Sequence, residues 1–204
     1  MISTLLDLNI LFSLTKPTLS HIDDFIAAAE RLEFSYPNLG VTENTQLSDP
    51  ELAGYNIDHN RIVIGRGQTD WERARTAIQS WKMFDMPWVE VSRPQTPIRK
   101  DENVAVLILH FGFYSLNAAR IVYTIDEPGR FGFAYGTLED HGESGEERFL
   151  VDLDPITGQV SYDLLAFSTP NHFLARLGYP LTRSLQKRFA RHSKEAMLRA
   201  VTSI

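Results

Sequence analysis

The chain has no cysteine among its 204 residues. That absence excludes disulfide scaffolds, zinc–thiolate sites, iron–sulfur clusters and thiol nucleophiles, and it fits a reducing, cytoplasmic setting. Long apolar runs are missing as well. Even Val104 to Phe113 is interrupted by His110 and falls short of the roughly twenty apolar residues of a membrane span, so no transmembrane segment is expected. Met1 to Leu14 is apolar but carries Asp7 and Asn9 and lacks a basic start and a small-residue cleavage site, which predicts no signal peptide. Gly65-Arg66-Gly67 is too short for a dinucleotide fingerprint, the serines show no nucleophile-elbow pattern, and no Walker-type loop occurs.

A formal net charge of -6 argues against general nucleic-acid binding. The charge is uneven along the chain. From Asn171 onward the bases Arg176, Arg183, Lys187, Arg188, Arg191, Lys194 and Arg199 face the single acid Glu195, whereas acids dominate between Asp126 and Asp154. With 43% hydrophobic residues, one domain can bury a full core without staples.

Periodicity supplies the order of elements. After Lys16-Pro17, Ser20 can cap a helix whose apolar positions Ile22, Phe25, Ile26, Ala29 and Leu32 recur at helical spacing. Tyr36 to Gly54 is rich in turn formers and reads as a long loop, which divides residues 1–50, a helical extension, from the domain of residues 51–204. Tyr55 to Gly65 reads as a strand. Thr69 and Glu72 then form a capping box for a helix with a buried stripe of Trp71, Ala74, Ile78 and Trp81.

Trp88 to Val91 alternates as a short strand, and five extended segments follow: 104–113, 118–126, 130–138, 147–154 and 159–167. The turn signals between them are Ser115-Leu116-Asn117, Glu127-Pro128-Gly129, Asp140 to Gly145 and Asp154 to Gly158, short enough to require antiparallel neighbours. Leu174, Leu177, Leu181, Leu185 and Phe189 begin a long C-terminal helix that Pro180 must open or kink, with Phe173 to Gly178 as a separate turn. The expected fold is α+β, a curved antiparallel sheet of about seven strands packed on the terminal helix.

Such a fold leaves a space between sheet and helix. In segment 130–138 one face carries Phe131, Phe133, Tyr135 and Thr137, and the other only Gly132, Ala134, Gly136 and Leu138. The small row either leaves a pocket unfilled, lets the terminal helix approach closely, or relieves a bend.

The runs Trp81 to Val91 (WKMFDMPWVEV), Asn117 to Leu138 (NAARIVYTIDEPGRFGFAYGTL), Gly145 to Asp152 (GEERFLVD) and Leu164 to Leu181 (LLAFSTPNHFLARLGYPL) resemble the family catalogued as domain of unknown function 1990, over roughly residues 34 to 200. That family resembles the START and birch-pollen-allergen superfamily of helix-grip proteins. The resemblance implies binding of lipids, steroids or polyketides, or cyclase, hydrolase or dehydratase chemistry, and it brings no catalytic residues to carry over.

Several residues are candidates for chemistry. In the acidic hairpin Glu139 to Glu147, His141 with Glu143 or Glu147 could form an acid/base pair or two legs of a metal site, or the whole could be a solvated turn. The other histidines have no ligand spacing, so neither a metal nor a cofactor is expected. His110 sits within an apolar strand, where a hydrogen-bonded core histidine is the simpler reading. Arg120 lies among Ala118, Ala119, Ile121 and Val122, where a guanidinium needs a partner, with Asp152 and Asp163 as candidates. It is either a structural lock or, with Tyr123, Tyr135 and Tyr162, a ligand anchor. The leading expectation is a binder of a small hydrophobic or amphipathic molecule. The alternatives are an enzyme using the His/Glu pair and a partner- or anionic-surface binder using the basic helix.

Overall fold

The computed structural model describes residues 12–44, 52–171 and 179–202. A curved antiparallel sheet runs in the order β2 (Asn56–Arg66), β8 (Gln159–Pro170), β7 (Glu143–Leu153), β6 (Arg130–Thr137), β5 (Tyr114–Glu127), β4 (Asn103–Leu109) and β3 (Val89–Val91). A two-residue strand β1 (Phe12–Ser13) pairs with β5 off this path. Register shifts between Val63 and Gly65 in β2 and between Ile121 and Tyr123 in β5 bend the sheet, as an extra residue in one strand does.

The concave face holds the larger core. Phe131 and Phe133 of β6, Phe149 and Val151 of β7 and Val160, Tyr162 and Leu164 of β8 meet α3 (Gly67–Gln79), the 3₁₀ turn Lys82–Phe84 and α4 (Tyr179–Thr202). The expected stripe on α3 is buried at Trp71, Ala74 and Ile78, and Trp81 just beyond it donates its Nε1 to the Thr96 carbonyl at 2.9 Å. On α4 the buried positions Ala190, Ser193, Met197 and Val201 recur every three or four residues. Pro180 stands at the second residue of α4, where a missing N–H costs nothing, so it opens the helix. The separate turn expected over 173–178 falls outside the described residues.

The convex face is covered too. Helix α1 (Leu19–Ala29) lays Ile22, Phe25 and Ala29 on Ala105, Leu107, Leu116 and Ala118. After it, Phe34 bridges to Leu138, and the segment through α2 (Val41–Asn44) crosses β6, β7 and β8. This strap contains a short helix where the sequence suggested only loop.

Local expectations change in four places. The cap of α1 is Thr18, whose Oγ1 accepts from the His21 N–H, not Ser20. The Thr69/Glu72 box does not form, because α3 starts at Gly67 and Asp70 reaches back to the Arg66 N–H at 2.8 Å. The turn between β4 and β5 is His110 to Phe113, with Gly112 at a φ of 108° that favours glycine, so Ser115-Leu116-Asn117 is strand. Strand β7 starts at Glu143, placing Glu143, Glu146 and Glu147 in the sheet rather than in a solvated turn.

Candidate functional site

The C-terminal half of α4 closes down on the sheet, whereas its first turns stand off and leave a cavity of about 350 Å³. Thr182, Leu185, Gln186 and Phe189 form the helix side, Phe84 and Trp88 one flank, and Val106, Ile108, Ala119, Leu164 and Ala166 the sheet side. Small side chains at Ala119, Ala166 and Ala190 help leave it open. The turns His110–Phe113 and Glu139–Gly142 lie at the same end, through His110 and His141.

Tyr135 and Glu147 are cross-strand partners on β6 and β7, and the Tyr135 hydroxyl donates to Glu147 Oε2 at 2.8 Å. Burial pushes the Glu147 carboxyl up from 4.5 to about 7; the Tyr135 hydrogen bond opposes this and the nearby Asp58 adds to it. Burial, then the charge of Glu147, drives the Tyr135 hydroxyl well above its usual range.

A second polar group lies beside the first turns of α4. Arg183 forks onto Asp58 at 2.5 and 2.8 Å and donates to Gln186 Oε1 at 2.6 Å, while Gln186 Nε2 reaches Ser168 Oγ at 3.0 Å and Glu143 Oε2 at 3.4 Å. Burial raises the Glu143 carboxyl, opposed by Ser168, Arg183 and Gln186, and its Oε1 is buried with no hydrogen-bond partner among the described residues. The Glu143 N–H donates to Nδ1 of His141 at 3.0 Å. His110 lies in a turn rather than inside a strand; its Nε2 pairs with Ser115 Oγ at 2.8 Å, and burial lowers its pKa.

Five sequence candidates therefore meet at one cavity: His110, Tyr135, His141, Glu143 and Glu147. The others lie elsewhere. Gly132, Ala134 and Gly136 face the convex side, where Ala134 packs with Val122, Ile125 and Leu150, and a Cβ on Gly136 would meet Tyr36. The row thus faces away from the cavity and the terminal helix: Gly136 admits Tyr36 of the N-terminal strap, whereas Gly132 lets the β7 backbone at Phe149 and Leu150 come close. Tyr123 is also convex and pairs with Thr42 Oγ1 at 2.7 Å. Tyr162 is sealed beneath α4 against Ser193 Oγ at 2.8 Å.

Arg120 is a lock, but not onto an acid. Its guanidinium donates to the Ala29 carbonyl and to Asn103 Oδ1, both at 2.8 Å, and lies 5.6 Å from the Phe34 ring centre. A cation suits the carbonyl-rich end of α1. The two acids expected to hold it serve other bases: Asp163 pairs with His59, Arg61 and Arg148, and Asp152 with Arg61. Burial would raise Asp163, but His59 and Arg148 outweigh it and hold the carboxyl low.

The basic helix is largely engaged within the chain. Arg183 holds Asp58, Lys194 donates to Asn60 Oδ1 at 2.9 Å, Arg199 reaches the Asp85 carbonyl at 3.2 Å, and Arg188 lies 4.5 Å from the centre of the Trp88 ring.

A family model described as a domain of unknown function, DUF1990, matches residues 35–196. The chain belongs to this family. A UPF0548 protein of Dictyostelium discoideum is 38% identical over 95% of this chain and 97% of its own length, and one of Deinococcus radiodurans is 35% identical over 93% and 98%. Among solved structures, a hypothetical protein of Helicobacter pylori superposes with a TM-score of 0.52 at 10% identity, covering 78% of this chain and 95% of that one. That likeness shows the fold alone, the helix-grip arrangement of sheet and terminal helix. The DUF1990 match begins one residue before Tyr36, so the strap lies within the family segment and α1 precedes it.

Among the described residues, no group of three His, Asp or Glu is placed to hold a metal, and no helix is long and apolar enough to cross a membrane.

Proposed function

We propose that the protein binds a small amphipathic molecule between the concave face of the sheet and the first turns of α4. The observation that carries this reading is the cavity itself: about 350 Å³, walled mainly by aliphatic and aromatic side chains, with the Tyr135–Glu147 pair as a localised polar pole. Ligand sites of this size combine an apolar wall with a few polar groups that fix orientation. Native mass spectrometry of protein purified from its own host, with uptake of the neutral dye prodan by recombinant protein, tests it. Retention of a small molecule or dye by the wild type, and its loss in a folded Ala166→Phe variant, is the expected result. An empty protein that excludes prodan removes the reading.

A second reading is favoured by Glu147. A carboxyl near 7 can both give and take a proton at neutral pH, as an acid/base catalyst must. Hydrogen–deuterium exchange at carbon on a bound guest, absent in Glu147→Gln, is the result this reading expects. Exchange at the same rate in the variant rejects Glu147 as the catalyst.

A further inference from the structure

The charges lining the cavity are one-sided. Asp58, Glu143, Glu146 and Glu147 all border it, whereas among the described residues no lysine or arginine does. Two of these acids are answered in full and a third in part. Glu146 is bound on the convex side by Tyr36, Gly40 and Thr42; Asp58 is forked by Arg183; and Glu143 receives Gln186 on one oxygen and the field of Arg183, while its Oε1 has no partner among the described residues. Glu147 has the Tyr135 hydroxyl and, among the described residues, no basic side chain paired with it. A carboxylate withdrawn from water without a cation is unfavourable, so it either keeps its proton or takes a positive guest.

The surroundings favour the guest. Phe84, Tyr135, Phe149 and Phe189 form one aromatic group, with centroids 5.3 Å apart for Tyr135–Phe149 and 5.4 Å for both Phe84–Phe149 and Phe84–Phe189. Ring faces attract cations and repel anions, and Phe84, Tyr135 and Phe189 border the same cavity.

We infer that the ligand is an organic cation, an amine or ammonium group on an aromatic or aliphatic body, with its charge against Glu147 and its body along Phe84, Trp88 and Phe189. This rests on the binding reading above and narrows it.

The groups facing this position are Tyr135 from β6, Asp58 and Asn60 from β2, His141 and Glu143 from the start of β7 and the turn before it, His110 from the β4–β5 turn, and Gln186 from α4; Arg183 lies outside the lining, on Asp58, and Tyr162 of β8 lies behind. With Glu147 near 7 in the empty site, its ionised fraction climbs from roughly a tenth at pH 6 to nine tenths at pH 8, so the affinity for a permanently charged guest rises about tenfold. Burial lowers the His110 pKa, which favours its neutral form. Any slope left in Glu147→Gln measures the share of other groups at the cavity.

The test compares phenylbutylamine, phenylbutanol and phenylvalerate, matched in shape but cationic, neutral and anionic, as competitors of prodan at pH 6 and pH 8. The amine is expected to bind at least about tenfold more tightly than the alcohol at pH 8, with the acid weakest. Glu147→Gln should erase the amine's advantage while still taking up the alcohol, which shows that the cavity persists. An alcohol or acid that matches the amine, or an advantage that survives in Glu147→Gln, overturns the inference. If prodan enters but the amine does not displace it, the inference falls and the binding reading stands; if prodan does not enter, both fall.

Discussion

The Tyr36 hydroxyl donates to Glu146 Oε2 at 2.8 Å from a position directly over Gly136, which has no side chain to hold it off. The same carboxylate accepts the backbone N–H groups of Gly40 and Thr42 and the Thr42 hydroxyl, and the residue is only 2% exposed. One acidic side chain thereby gathers the strap that covers β6, β7 and β8.

A methyl group at position 136 would overlap the Tyr36 ring, which its bond to Glu146 prevents from swinging aside. Gly136→Ala is expected to lower stability by about 1–3 kcal/mol in urea denaturation. Combining it with Tyr36→Leu should cost less than the sum of the two single changes, because the clash disappears. Additive costs would show that the ring does not rest on the glycine.

Replacing Glu146 by alanine leaves two backbone N–H groups and two hydroxyls without their acceptor. About 3 kcal/mol of stability should be lost. Hydrogen exchange should quicken first at residues 40–42, and protection equal to wild type there would contradict the clasp.

Glu147 makes stability depend on pH in the direction opposite to a salt-bridged acid. Its folded pKa, about 7, exceeds the ordinary 4.5, so below 4.5 both states hold the proton and the stability is fully present. It is lost as pH rises from 4.5 through 7, by up to about 3 kcal/mol for a shift of this size. Glu147→Gln should remove that decline and exceed wild type in stability at pH 8 relative to pH 5. Parallel pH profiles for the two proteins would show that the carboxyl titrates normally.

Arg120 lies on the face away from the cavity, so Arg120→Ala should loosen α1 without touching ligand uptake. A loss of about 2 kcal/mol is expected from the two hydrogen bonds to Ala29 and Asn103, with faster exchange near residues 26–32. Reduced prodan uptake with α1 unchanged would point to the opposite placement.

The order of elements was legible because strand alternation and the helical stripes are local signals: Phe131, Phe133 and Tyr135 fall on one face, and Trp71, Ala74 and Ile78 on one stripe. Which face of β6 looks toward the helices is not a local property. The small face invited a hollow, yet the aromatic face points inward because α3 and α4 offer it a core, while Tyr36 arrives from a hundred positions earlier. Arg120 likewise showed that it needed a partner but not which one, since backbone carbonyls at a helix end leave no mark in composition. The cavity was harder to foresee because Ala119, Leu164 and Phe189 come from separate elements, and their convergence depends on how steeply α4 lifts from the sheet. His141, Glu143 and Glu147 are neighbours in sequence; their shared place on the cavity comes from β7 beginning at Glu143, earlier than the run of charges suggests.

Glu146 and Glu147 are consecutive, one fastening the outer strap and the other lining the inner chamber. Outer anchor and inner wall are thus the two faces of a single peptide unit, so slipping β7 by one residue in its register would exchange them, carrying the strap's acceptor into the chamber and the chamber's acid outward.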